Sequence, residues 1–267
     1  MARTHVHGVR QLIDFSARSK YAAFIFFVSS VGTVLRWSQS KGDGAPVEVP
    51  EAIVKDWAAA GDAGYAQSKL VAERILATAA AKAGTPCAIC RVGQIAGPIS
   101  RKGMWPKQEW LPSLLLSSKY LGCLPSSLGS LDVVDWIPVD ILSKILLQLA
   151  GASYKSCDGS IMVYHAVNPK KTTWATLLAV LLDRMHITST PLSEWVKMLS
   201  ASSPDELEQN PALKLLDFFV AMAAAVDAGS AQVLLSTAHA QQASLTIDSM
   251  DAVSTEWMGS WLQQWDL

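Results

Sequence analysis

Tyr65 and Lys69 are the two residues whose types and spacing promise chemistry. In Tyr65-Ala66-Gln67-Ser68-Lys69 a phenol and an ammonium lie four residues apart, so on a helix both project from one face, about one turn apart. An ammonium beside a phenol favours the ionised oxygen and makes the group a usable proton donor or acceptor. Two common residues at one spacing are weak evidence by themselves, since an ordinary solvated helix face shows the same pattern. Position strengthens it. Upstream, Ala22 to Val28 (AAFIFFV) is an unbroken apolar run followed by Ser29-Ser30. A serine at the C-terminal end of a parallel strand and a Tyr/Lys pair at the start of the next helix meet at the sheet edge where α/β folds place their sites. There the serine hydroxyl would hold a carbonyl oxygen, and the tyrosine would protonate it during hydride delivery.

The elements needed to bring these groups together are legible. The segment Val6 to Ser19 has apolar residues near helical spacing and is expected to deliver the chain into the strand. The AAFIFFV run lacks polar alternation, the mark of a strand buried on both faces in a parallel sheet. Ser38 to Pro50, rich in Gly, Pro and Ser, reads as an exposed loop. Tyr65 to Ala83 is the strongest helix, dominated by Ala and Leu, with Leu70, Glu73/Arg74 and Leu76/Ala77 separating into faces. Gly84 caps it and Pro86 prevents its continuation. Cys87 to Val92 then closes a strand-helix-strand unit, with a right-handed crossover expected. Val133 to Leu149 reads as a short extended piece leading into an amphipathic helix near Pro138, and Ile161 to Val167 as another strand. From Thr172 the chain is mostly helical, with helices expected near 174–185, 192–199, 205–225 and 254–265. The expected division is 1–98, carrying the Ser/Tyr/Lys site, and 99–267, a substrate-binding or lid region from which 133–167 returns to the sheet.

Other candidates carry less. Cys87-Ala88-Ile89-Cys90 has CxxC spacing, but residues three apart in a strand point to opposite faces, and no second pair or histidine completes a zinc site. No metal is expected. His165, in the strand YHAVNP, reads as a structural or pocket-lining histidine; His5, His7, His186 and His239 have no acidic or cysteine partner at ligand spacing. Ten tryptophans are unusual; Trp105, Trp110 and Trp136 either line a substrate pocket or fill a core. Asp140 is expected to cap a helix or brace the turn around Trp136-Ile137-Pro138, and the acidic segment Ser203 to Glu208 to be a solvated helix start.

Composition sets the frame. The chain has 267 residues, 50% hydrophobic and 17% charged, with a formal net charge of -1. That excludes disordered and collagen-like classes and argues against a nucleic-acid binder, which shows a basic excess. Four cysteines, Cys87, Cys90, Cys123 and Cys157, form no extracellular framework, so a reducing, cytoplasmic setting is expected. The N-terminus lacks an apolar signal core. The longest apolar run, Tyr21 to Leu35, is interrupted by Ser29, Ser30 and Thr33 and falls short of the roughly 20 residues that span a bilayer, so no membrane is expected.

Taken in order, FFVSSVGTV, GYAQSKLVAERIL, RVGQIAGP, VDWIPVDILSKILLQL, YHAVNP and NPALKLLDFF resemble the extended short-chain dehydrogenase/reductase family. More narrowly, they resemble the thioester reductase domain that ends fungal nonribosomal-peptide-synthetase-like and polyketide enzymes. The resemblance implies an α/β fold, a Rossmann-like parallel sheet with a helical C-terminal substrate region. It places the catalytic serine on Ser30, with Ser29 and Thr33 as alternative registers, the tyrosine on Tyr65 and the lysine on Lys69, which in the family also bonds the nicotinamide ribose. It makes Gly93, Gln94 and Ile95 cofactor contacts. It further implies NADPH as reductant and a carrier protein presenting an acyl or peptidyl thioester on a pantetheine arm, or else a small apolar metabolite, as substrate.

The family opens with a glycine-rich turn that holds the cofactor pyrophosphate at a helix N-terminus. None of the sixteen glycines forms that fingerprint; Gly61-Asp62-Ala63-Gly64 lacks the third glycine and follows no strand. Aligned by its motifs, the chain is expected to lack the N-terminal strands, roughly 100 residues at about 30 per βαβ unit, leaving AAFIFFV as an apolar edge open to self-association or a partner chain. NADPH binding is then expected to be weak. Three readings follow: a reductase whose nucleotide site is completed elsewhere, a cofactor-free isomerase or cyclase reusing Tyr65 and Lys69, and a non-catalytic remnant that docks a carrier protein.

Overall fold

The computed structural model describes residues 3–37, 48–100, 102–155, 160–227 and 233–267. Most of the expected Ser38 to Pro50 loop, and Cys157, lie outside the described residues. The chain forms two compact units. The first comprises Met1–Ile95, Ile141–Pro169 and Val233–Met250, the second Ala96–Asp140, Lys170–Gln232 and Asp251–Leu267. The division therefore differs from the expected one: 133–140 belong to the second unit, and 233–250 join the first.

The first unit is built on three parallel strands, β1 (Ile25–Ser30), β2 (Cys87–Val92) and β3 (Met162–Ala166), in the order β1-β2-β3. Helices α1 (Gly8–Arg18) and α2 (Gly64–Ala83) pack on one face through Val9, Ala72, Leu76 and Ala80 against Ile25, Cys87, Ile89 and Val163. Strand residues alternate between faces, so Cys90 and Tyr164 point the other way, where Ser153 of the helix Val139–Lys155 hydrogen-bonds the Tyr164 hydroxyl. Helix α2 ends as read: Gly84 takes φ 62°, a left-handed cap that a Cβ would strain, and its N–H bonds Ala80 O.

Strand β1 departs from expectation in two ways. It begins at Ile25 because Ala22 sits at φ 46°, a conformation no strand continues. Nor is it buried on both faces: Val28 is 42% exposed. Its pairing among the described residues, with β2 alone, agrees with the open edge expected of it. It is the edge of this sheet, and the Lys69 ammonium caps one of its carbonyls, Val28 O, at 2.8 Å.

The second unit is helical. Helices at Trp110–Leu121, Trp174–Met185, Leu192–Ala201, Leu216–Asp227 and Thr255–Trp265 enclose a core containing Trp105, Trp136, Trp174, Trp195, Trp261 and Trp265. Buried indoles need partners for their N–H groups: Trp105 donates to Glu109, Trp174 to Pro125 O, Trp195 to Ser118, Trp261 to Gly97 O and Trp265 to Trp105 O. The single helix expected over 205–225 is broken, with two 3₁₀ turns preceding the α-helix at Leu216, because Pro211 offers no N–H to continue one. Among the described residues, no helix is long and apolar enough to cross a membrane.

Candidate active site

The C-terminal edge of the parallel sheet collects the expected groups. Ser30 is the last residue of β1, level with Val92, and its side-chain oxygen accepts the Gly32 N–H at 3.1 Å. A Cβ built on Gly32 would lie 3.4 Å from both Ser30 Oγ and Ala66 Cβ, so the serine hydroxyl and the first turn of α2 meet across that glycine. Tyr65 stands in this turn, 45% exposed, and its hydroxyl has no hydrogen bond among the described residues. Lys69 follows one turn on. Besides bonding Val28 O, its ammonium lies 4.8 Å from the Phe27 ring centre and 5.9 Å from that of Tyr65. Burial pushes this amine below the usual lysine range, opposed by Glu73.

Ser29 and Thr33 are distinguished from Ser30 by what they bond. Both are buried. Ser29 donates to Glu73 Oε1 at 2.5 Å, and Thr33 Oγ1 lies within reach of Glu73 Oε1 and of Ser30 O. Of the three registers, only Ser30 keeps a partly exposed hydroxyl not tied to the core.

Beneath the edge lies a polar row that sequence patterning missed. Ser29, Arg91 and His165 stand level on three adjacent strands, and Glu73 reaches down on them from α2. The faces expected for α2 put Glu73 beside Arg74 on a polar side; instead Glu73 and Arg91 are fully buried and paired at 2.7 Å. Arg91 also donates to Ala52 O and to His165 Nε2. Since guanidinium only donates, Nε2 accepts, and Nδ1 carries the proton that bonds Ser236 O at 2.8 Å. Burial, and then the Arg91 cation, hold His165 down to about 4. Glu51 ties the same region together by accepting the N–H groups of His165, His239 and Ala240, while burial raises its carboxyl above the usual range.

This predicts an acid-labile fold. A histidine kept neutral when folded takes up its proton first in the unfolded chain, so its contribution is complete above pH 6.5 and lost as pH falls through about 4. The loss amounts to about 3 kcal/mol. Urea denaturation between pH 7 and 4 should show it, and His165→Gln should remove that part of the slope.

Of the expected cofactor contacts, Gly93 follows β2 and donates to Ala166 O. A Cβ there would sit 2.6 Å from Val167 Cγ1, so glycine is required by close approach. Gly93→Ala is expected to cost about 1–3 kcal/mol, read by thermal denaturation, with Val167→Ala restoring much of it. Gln94 donates to Ile95 O, and Ile95 is exposed. With Lys69, these residues lie at the C-terminal ends of β1 and β2. The pyrophosphate side has no glycine-rich turn in this sequence.

Of the two readings of the tryptophans, pocket or core, the burial of Trp105 and Trp136 agrees with the core. Trp105 and Trp136 are 1% and 2% exposed, edge-on to each other with centroids 6.0 Å apart. They fill the core of the second unit, and Trp110 packs half-buried against Trp136. Cys87 and Cys90 are both buried, and burial pushes the Cys90 thiol up to about 12. Asp140 accepts the Ile99 and Ser100 N–H groups, so the turn it braces is the one at 99–100, where the expectation had placed it around Trp136-Ile137-Pro138. Among the described residues no three His, Cys, Asp or Glu side chains gather at metal-binding distance.

A parallel sheet flanked by helices, with serine, tyrosine and lysine at its C-terminal edge, is a Rossmann-like α/β fold. Residues 1–146 match the NAD-binding family described as male sterility protein, and the chain belongs to that family. It is 39% identical, over 98% of its length, to a carboxylic acid reductase of Neurospora crassa, of which it covers 25%. The chain thus spans about a quarter of the curated relatives it matches. Its fold is similar to the terminal R domain from the myxalamid PKS-NRPS biosynthetic pathway, with a TM-score of 0.77 and 22% identity over 99% of this chain and 63% of that one. It is also similar to a thiolation-reductase di-domain from an archaeal non-ribosomal peptide synthetase, with a TM-score of 0.67 and 18% identity over 99% and 54%.

Proposed function

We propose that this protein is a reductase that uses NADPH to reduce a carrier-bound acyl thioester, or the aldehyde derived from it, in secondary-metabolite biosynthesis. The observation that carries the reading is the convergence of Ser30, Tyr65, Lys69 and Gly93 at one edge of a parallel sheet. When bound, the nicotinamide supplies the reducing equivalent. The protein's own part is to orient and to move a proton. The Ser30 hydroxyl holds the carbonyl oxygen, Tyr65 donates its phenolic proton to that oxygen, and the Lys69 cation stabilises the phenolate left behind. Lys69, Gly93, Gln94 and Ile95 would hold the nicotinamide end. The thiolation-reductase likeness supports a carrier-presented substrate.

The test is calorimetric titration with NADPH, paired with turnover of acyl-pantetheine thioesters followed by NADPH consumption and aldehyde release. Weak but saturable binding with thioester-dependent oxidation is expected. Neither binding nor turnover at millimolar NADPH would overturn the reading in favour of cofactor-free acid-base chemistry or carrier docking.

A further inference from the structure

We propose that His5 is a positioning residue of the Tyr65/Lys69 pair, a neutral imidazole held beside the phenol by Ser68; its consequence for turnover rests on the reductase reading, its geometry does not. His5 lies in the turn Arg3–His7 ahead of α1 and is remote in sequence from α2. Its Nδ1 is 2.8 Å from Ser68 Oγ. That hydroxyl has one hydrogen and donates it to the backbone oxygen of Tyr65 at 2.7 Å, so it accepts from His5 and the imidazole proton sits on Nδ1. Nε2 then carries the lone pair. The ring meets Tyr65 edge-on, with centroids 5.5 Å apart and planes at 79°. One serine hydroxyl therefore ties the imidazole to the backbone turn that carries the phenol.

The electrostatic surroundings favour the same state. The charged groups acting on His5 are the Lys69 cation on α2 and the N-terminal amine of the chain, and the titratable group it touches is the Tyr65 phenol. Burial, and then the Lys69 cation, hold the imidazole below its ordinary range, so it adds no second positive charge beside Lys69. Tyr65, having given its proton to a substrate oxygen, must regain one from solvent. Nε2, fixed beside the phenol, takes a proton from a solvent water, whose O–H bond breaks as the N–H bond forms and whose hydroxide returns to solvent; that N–H bond then breaks as the tyrosine O–H bond forms, and His5 ends as it began. It also fixes the ring that donates.

The experiment is nitrogen-detected histidine NMR on the full chain, with His5→Asn assigning the His5 signals among the five histidines. The expected result at neutral pH is an Nδ1–H tautomer that reverts to Nε2–H in Ser68→Ala, and a titration midpoint below the usual value that climbs back in Lys69→Met. An Nε2–H tautomer in the wild type, or an ordinary midpoint indifferent to Lys69, overturns the proposal. These signals report on His5 whether or not the chain reduces anything, so a failed reductase reading is distinguishable from a failed assignment here. With a turning-over enzyme, His5→Phe keeps a ring against Tyr65 but no nitrogen, and kcat should fall at least about tenfold with KM unchanged; an unaltered kcat counts against the proposal.

Discussion

Arg91→Met is expected to destabilise the protein by about 3–5 kcal/mol, the largest effect of any single substitution in the first unit. The methionine would fill much of the guanidinium's space, so packing is not the main loss. What is lost is the only cation paired with Glu73 among the described residues, and the Glu73 carboxylate receives Arg91 Nε and Nη2 with almost no exposure to water. Left with the hydroxyls of Ser29 and Thr33, a buried anion either stays at high cost or takes up a proton. His165 Nε2 and Ala52 O lose their donor at the same time. Glu73→Leu should do comparable damage by stranding the guanidinium. The pair Glu73→Leu/Arg91→Met should recover a large part of the loss, because a buried ion pair exchanged for apolar residues of similar volume is often neutral. Recovery stays incomplete, since Ser29, Thr33 and His165 still want partners. Urea denaturation of the four proteins closes the cycle, and an Arg91→Met loss below about 1 kcal/mol would show that water reaches Glu73.

That ion pair also marks where legibility ended. Elements whose signals are local could be read from residues: α2 with its Gly84 cap and Pro86, β2 over Cys87–Val92, and the helix Trp174–Met185, all at the bounds observed to within a residue. Ser30, Tyr65 and Lys69 were legible because the order of strand, helix and strand sends them to one sheet edge. The polar row beneath them is not local. Ser29, Arg91 and His165 become neighbours only through strand register, and Glu73 joins from a helix turn that patterning assigned to solvent. A signal was present in each case: Arg91 interrupts an otherwise apolar strand, and Glu73 sits among Leu70, Ala72 and Leu76. A charge inside an apolar run seldom exists without a buried partner. His5 had no such mark, since its partners are Ser68 and Tyr65, and nothing short of the folded packing of the Arg3–His7 turn on α2 brings them together. The tryptophans were ambiguous for a different reason. Residue type alone does not separate a pocket wall from a core, and it is burial with satisfied indole N–H groups that puts these rings in the core of the helical unit.

Tyr65→Phe should separate chemistry from folding more cleanly than any other change. The phenolic oxygen has no hydrogen bond among the described residues, and the ring is nearly half exposed. Deleting the oxygen removes no contact that stabilises the fold, so stability should stay within about 0.5 kcal/mol of wild type. If the phenol delivers the proton during carbonyl reduction, its loss should lower turnover by about 10²- to 10⁴-fold, the range for a positioned general acid. The effect should fall on kcat, with KM for the thioester little altered, because the hydroxyl acts on the developing alkoxide more than on the ground-state carbonyl. Lys69→Met provides the contrast. Its ammonium caps Val28 O on the open edge of β1, so that variant should lose turnover and some stability together, and should weaken NADPH binding as well. A Tyr65→Phe protein that keeps more than about a tenth of wild-type turnover would remove the phenol from the proton-transfer step. The catalytic assignment would then rest on Ser30 and Lys69 alone.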